Sequence, residues 1–180
     1  TAHRLDRVLA AKADAAWYLH EATAERSLNL FVCYSSESGV LGAPGQGNYA
    51  AANTFLDALA SYRRHQGLPA QSIAWGPWAT SSGMADQMSH ADLARIERAG
   101  FAPLTVEEGL RLFDRVILHR LGNVVAATLS NTALRAQARS GQLHALLRNL
   151  IPTSTHHTPS ATIDLPAKLT GLDRIGRQRV

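Results

Sequence analysis

Cysteine is nearly absent: Cys33 stands alone among 180 residues, inside the apolar run Phe31-Val32-Cys33-Tyr34. A single thiol excludes an internal disulfide and a cysteine-based metal site, so Cys33 reads as a buried, inert side chain and no metal is expected. Aromatic residues make up only 6% of the chain and do not interleave with the basic ones. Much of the net charge of +4 comes from Lys168, Arg174, Arg177 and Arg179, which read as a solvated tail and not as a nucleic-acid surface. No apolar run approaches the roughly 20 residues a membrane span needs, and the N-terminus lacks a basic start followed by an apolar stretch and a cleavage site. The expectation is a cytoplasmic protein with no membrane and no nucleic-acid partner.

What is present is a 46% apolar chain of 19.4 kDa, enough for one domain with a real core and a tail. Over 4–22, Leu5, Val8, Leu9, Ala13, Ala16 and Leu19 fall near one face of a helix, with Lys12 turned away from some of them. The segment 28–35 reads as a nearly all-apolar strand of the kind buried in a parallel sheet. Four glycines and Pro44 make 37–47 a loop. A helix is expected over 48–64, with Phe55, Leu56 and Leu59 facing inward and Gly67-Leu-Pro69 stopping it. A strand follows over 71–75, then a loop over 76–82. The segment 84–99, carrying Met84, Met88, Leu93 and Ile96, reads as an amphipathic helical pair and a mobile cover. Thr105 lies three residues before Glu108, a capping-box spacing at the head of a helix over 105–118. A strand over 123–129 and a helix over 132–150 with a break near Gly141 complete the pattern. The tail over 151–180, with three prolines and many Thr, Ser and His, reads as a linker. Helix, apolar strand, loop, helix, apolar strand is the order of a doubly wound α/β sheet, whose ligands lie beyond the carboxyl ends of its strands.

Four polar residues stand where this architecture would gather them: Lys12 on the first helix, Ser36 at the end of the first strand, and Tyr49 and Asn53 one turn apart on the next helix. A tyrosine, with an ordinary pKa of about 10, is a poor base at neutral pH but a good proton donor, and a nearby ammonium stabilises its phenolate. Lys12 can supply that charge. Ser36 can hydrogen-bond a carbonyl and hold its oxygen where negative charge develops as hydride arrives at carbon. Asn53 would organise the lysine or a relay water. Taken singly, each has a plainer reading: Lys12 as a solvated lysine, Ser36 and Asn53 as cap or turn residues, Tyr49 as amphipathic filler. Their joint spacing argues for the site.

The stretches Leu5-Asp-Arg-Val-Leu-Ala-Ala-Lys12, Tyr34-Ser-Ser36, Gly45-Gln-Gly-Asn-Tyr-Ala-Ala-Ala-Asn53-Thr-Phe-Leu-Asp-Ala-Leu-Ala60 and Ser72-Ile-Ala-Trp-Gly-Pro-Trp78 resemble the ketoreductase domains of modular polyketide synthases, a branch of the short-chain dehydrogenase/reductase superfamily. Most of that superfamily carries Tyr-x-x-x-Lys. Here the pattern is Tyr49-Ala-Ala-Ala-Asn53 with the lysine upstream at Lys12, the exchange that marks the synthase ketoreductases. The resemblance implies a Rossmann-like sheet, NADPH as cofactor, and a tetrad in which Tyr49 donates the proton, Ser36 binds the carbonyl, Lys12 also binds the nicotinamide ribose and Asn53 completes the set. It further implies that Gly76, Pro77 and Trp78 contact the cofactor, mainly through backbone, beside the plainer possibility that Pro77 and the tryptophans pack a turn. The segment 84–99, with Met84, corresponds to the family's lid over the acyl groove. Leu41 occupies the place, eight residues before Tyr49, where members making the L-alcohol (A-type) usually carry tryptophan. Pro44 and Asn48 occur in the D-alcohol (B-type) group, so the B-type is expected.

A dinucleotide site also needs a glycine-rich turn on a strand-to-helix connection, where backbone amides hold the pyrophosphate. None is present, since Gly42-x-x-Gly45-x-Gly47 has the wrong spacing and lies in the loop before Tyr49. The resemblance therefore implies the C-terminal part of a catalytic ketoreductase unit over 1–150, its first strands and its adenosine pocket lying upstream, followed by a linker over 151–180. An acyl carrier domain bearing a phosphopantetheine-linked β-ketoacyl chain, the N-terminal ketoreductase half and other synthase domains are the implied partners. Alone, the chain is expected to be inactive. The competing expectations are a catalytically degenerate structural ketoreductase module and the ketoreductase of an iterative fatty acid synthase.

Overall fold

The computed structural model describes residues 2–79, 94 and 96–151. Most of the expected lid segment, Met84 included, and the tail from 152 lie outside the described residues.

The first helical stretch has an interruption that its periodicity did not announce. Helix α1 (Ala2–Leu9) runs into a π-helical turn (Ala10–Asp14) and then into α2 (Ala15–Thr23). The amide of Ala15 donates to the carbonyl of Ala10, five residues back, so one residue more than an α-turn is accommodated and the faces on either side are rotated relative to each other. Lys12 lies at the centre of that turn. Ala13 and Ala16, beside it, are buried.

Strand β1 (Val32–Ser36) is shorter than the expected 28–35 and ends one residue later. The loop expected over 37–47 begins instead with a short helix, α3 (Glu37–Leu41). Ser36 caps it through its side chain, Glu37 lies in its first turn, and Gly42 at φ 76° ends it, a backbone conformation that glycine adopts without strain. Helix α4 (Gly47–His65) then buries Ala52, Asn53, Leu56, Leu59, Ala60 and Arg63. Its stop is Gly67, also in the left-handed region. The amide of Leu68 donates to the carbonyl of Arg63, closing the last turn.

Strand β2 (Gln71–Trp75) is buried at all five positions, as a strand covered on both faces should be. It pairs in parallel with β1 on one side and with β4 (Asn123–Ala126) on the other, giving the order β1-β2-β4. The strand expected over 123–129 is divided: after Ala127 the chain turns away, and β5 (Thr128–Leu129) pairs antiparallel with β3 (Phe101–Ala102). Between them α5 (Val106–His119) carries the expected capping box, Thr105 receiving the Glu108 amide while the Glu108 side chain accepts from Thr105. Helix α6 (Asn131–Arg139) and a 3-10 turn (Ala145–Leu150) follow.

Two cores flank the sheet. Ile73, Trp75, Leu104, Val116 and Ala126 form one with Trp78 and Phe113 packed against it; Ala16, Cys33, Leu56 and Leu59 form the other. Beside the second, the buried Arg63 guanidinium stacks 3.9 Å above the Phe31 ring and donates to Thr23 Oγ1 and His20 Nδ1. A guanidinium only donates, so Nδ1 is the acceptor nitrogen of that imidazole. A third cluster joins Leu134, Leu143, Leu147 and Ile151 with Leu41. Among the described residues no helix is long and apolar enough to cross a membrane, and no group of three or more His, Cys, Asp or Glu could hold a metal ion.

Candidate active site

The carboxyl end of β1, the head of α4 and the π-turn converge, and the four residues singled out by spacing lie on these elements. Lys12 Nζ donates to Asn53 Oδ1 at 2.7 Å and to the carbonyl of Tyr34 at 2.9 Å. The same ammonium stands 5.4 Å from the centroid of the Tyr49 ring. Because the Phe31 carbonyl accepts from the Gln71 amide of β2, strand alternation turns the Tyr34 carbonyl to the open side of β1. Lys12 occupies it. Burial lowers the pKa of Lys12 from its ordinary value, opposed by the carboxylate of Asp57. Among the described residues two of its three N–H donors are used, and the third can meet a ligand hydroxyl.

Asn53 is fully buried and fixed at both ends of its amide: Oδ1 accepts from Lys12, and Nδ2 donates to the Tyr49 carbonyl at 2.8 Å. Its own carbonyl accepts from Ser35 Oγ at 3.1 Å. A buried amide held at both its oxygen and its nitrogen is a rigid support, and it ties the Lys12 head to the turn that presents Tyr49. Tyr49 is itself half-buried.

Ser36 is buried, and its hydroxyl is crowded. Oγ accepts from the Ser38 amide at 3.3 Å and from Ser38 Oγ at 3.0 Å, and donates to Glu37 Oε2 at 2.8 Å. These bonds give the side chain its cap role at the head of α3. Glu37, Ser38 and Tyr34 were not among the residues that spacing selected. For Glu37 and Ser38 the trace in the sequence is nearness to Ser36 alone, because a helix as short as α3 leaves no periodic pattern.

The residues expected at a cofactor have definite structural tasks. Gly76 lies against Ala127, where an added Cβ would stand 2.8 Å from the alanine's own, and its amide donates to the Ala126 carbonyl. The Pro77 carbonyl accepts from Leu104, Trp78 forms a bridge to the same residue, and the Trp78 indole packs onto Gly109. Leu41 packs against the Leu134 cluster. Pro44 is exposed, and Asn48 Oδ1 accepts the Tyr49 amide at 2.9 Å, trimming the first turn of α4.

Comparison with known proteins gives this geometry a context. The family model described as "KR domain" matches residues 1–80. The chain is 46% identical over 188 residues to polyketide synthase GfsB of Streptomyces halstedii, covering 100% of this chain and 3% of that protein. It is 50% identical over 153 residues to the spectinabilin polyketide synthase system protein NorB of Streptomyces orinoci, covering 85% of this chain and 7% of that one. Among solved structures, an A-type ketoreductase from a modular polyketide synthase superposes with a TM-score of 0.74 at 35% identity, over 83% of this chain and 31% of the other. The ketoreductase from the first module of phoslactomycin biosynthesis in Streptomyces sp. HK803 gives 0.66 at 40% identity, over 76% and 31%. The chain therefore spans a small fraction of the curated relatives it matches.

Proposed function

The chain belongs to the ketoreductase (KR) domain family of modular polyketide synthases, and from that premise we propose that its tetrad reduces a β-ketoacyl thioester, carried on the phosphopantetheine arm of an acyl carrier domain, to the β-hydroxyacyl thioester. The observation that carries this reading is the 2.7 Å bond from Lys12 to Asn53, made between residues 41 positions apart and aligning the ammonium with the Tyr49 ring.

NADPH fits the residues present: the third N–H donor of Lys12 can meet a ribose hydroxyl, while the pyrophosphate requires a glycine-rich turn that this sequence does not contain. The chemistry the dinucleotide supplies when bound is the hydride that adds to the β-carbon. Ser36 holds the ketone oxygen by hydrogen bond and Tyr49 delivers the proton to it as charge develops, so carbonyl becomes alcohol. Lys12 stabilises the resulting phenolate. Gly76, Pro77 and Trp78 shape the wall beside the nicotinamide through backbone. Leu41, Pro44 and Asn48 favour the D-alcohol (B-type) outcome. The relative described as A-type shares the backbone, so the type rests on these side chains. On the same reading residues 1–150 are the C-terminal part of the catalytic unit, working beside its N-terminal half and the other synthase domains in the cytoplasm, and 151–180 lead towards the acyl carrier domain.

The test is NADPH oxidation by the complete ketoreductase domain containing these residues, with a β-ketoacyl N-acetylcysteamine thioester as substrate. Tyr49→Phe should cost about 10²- to 10⁴-fold in kcat, the range for loss of a positioned proton donor. Chiral analysis of the product reads the type. A folded, NADPH-binding domain without turnover would replace this reading with that of a structural module.

A further inference from the structure

Ser36 has one hydroxyl proton, and the reduction asks it to meet the ketone oxygen. In this structure the proton is directed elsewhere. Both lone pairs of Oγ are taken, by the amide and the hydroxyl of Ser38, which leaves Ser36 a single donor, and that donor lies 2.8 Å from Glu37 Oε2. A carboxylate is a stronger acceptor than a ketone, because hydrogen bonds to an ionised acceptor are about twice as strong as those between neutral groups. The incoming carbonyl must compete with Glu37.

We propose that Glu37 is a positioning residue of the reduction, its carboxylate holding the Ser36 proton until the substrate ketone displaces it and so setting the affinity for substrate. This rests on the reductase reading above. The charge state of Glu37 then becomes an adjustable element. Burial pushes its carboxyl above the ordinary range, and the Ser36 hydroxyl partly opposes that shift. The elements packed against α3 are α4, β2 and β1. Their titratable side chains are Tyr49, Asp57, Tyr62, Arg63, Arg64 and His65 on α4, none on β2, and Cys33 and Tyr34 on β1. Asp57 on α4 is engaged by Ser72 Oγ, and Lys12 on the π-turn by Tyr34 and Asn53. When Glu37 is protonated it grips the Ser36 proton less, so the KM for the β-keto thioester falls as pH falls through the Glu37 titration.

The experiment compares the complete domain with its Glu37→Gln and Glu37→Ala variants, measuring KM and kcat against pH. Above the Glu37 titration, KM in Glu37→Gln should be lower by about tenfold, the scale of one charge-assisted bond exchanged for a neutral one. The competition acts before the ketone is held, so kcat should change little. The pH dependence of KM should flatten in both variants. A merely structural Glu37 would shift stability and leave that dependence in place. A second measurement is independent of turnover: NMR titration of the Glu37 carboxyl in the wild-type domain and in Ser36→Ala, where loss of the opposing hydroxyl should raise its pKa further. An unchanged KM profile in Glu37→Gln, or a Glu37 titration indifferent to Ser36→Ala, overturns the proposal. A wild-type domain that consumes no NADPH overturns the reductase reading and this positioning role with it, and the titration then shows whether the Ser36–Glu37 bond exists without serving a reaction.

Discussion

Lys12 and Cys33 are neighbours of opposite habit around the head of β1. Lys12 keeps its ammonium beside two oxygen acceptors although burial favours the neutral form. Asn53 is what makes this tolerable, since a buried cation left without its acceptor would cost far more than the bond returns. Among the described residues Cys33 has no such partner. Burial pushes its thiol up from 9.0 to about 11, so the folded protein keeps a proton that the unfolded chain loses first. For a thiol with a raised folded pKa the unfolded state binds fewer protons between the two values, and stability falls as pH rises from 9 towards 11. Chemical denaturation of the wild type and Cys33→Ala over that window should separate them by on the order of 2 kcal/mol at the alkaline end, the wild type losing more. Parallel curves would show that the thiol is better hydrated than its place in the core implies.

Among the elements, the contact between α5 and the loop after β2 decides how Trp78 sits. A Cβ built on Gly109 would come within 2.2 Å of the indole, a clash that rigid ring atoms relieve only by moving. Gly109→Ala should therefore destabilise the fold by about 1–3 kcal/mol, the range for overpacking a core. It should also shift tryptophan emission as Trp78 is displaced. An unchanged melting curve and spectrum would mean the ring has room. Nothing in the sequence marked Gly109, because a close approach between two distant segments leaves no local pattern. The same reasoning separates the legible from the illegible elsewhere. The boundaries of β2, the capping box at Thr105 and the stop at Gly67 were readable, since each rests on a run or spacing within a few residues. The spacing brought Lys12 and Asn53 to one site but left Asn53 to organise either the lysine or a relay water; the direct bond is what the structure adds. The π-turn was not: an inserted residue amid alanines disturbs no apolar pattern, yet it is the turn that carries Lys12. Helix α3 was hidden because five residues are too few for a period, and with it the claim of Glu37 on Ser36.

In the whole molecule, β1 is paired on one side only among the described residues, and Trp17, Tyr18 and Leu19 on α2 and Tyr34 on β1 are exposed. Unpaired strand backbone beside exposed aromatic side chains recruits whatever strand is available, which in a pure preparation is another copy of the same chain. On the proposed reading the natural neighbour is the polypeptide bearing the first strands and the glycine-rich turn of the ketoreductase. The two arrangements make opposite demands. If β1 and α2 are built to be covered, the 180-residue chain alone should self-associate in light scattering and leave NADPH fluorescence unchanged. The same chain produced together with that N-terminal half should elute as one discrete species and bind the dinucleotide. Replacing Tyr18 and Leu19 with polar residues should reduce self-association of the isolated chain and weaken its union with the other half in parallel, since one surface serves both. A monodisperse isolated chain that binds NADPH would show that these elements need no partner, and that the catalytic end of the fold carries more of the cofactor site than its sequence contains in any familiar form.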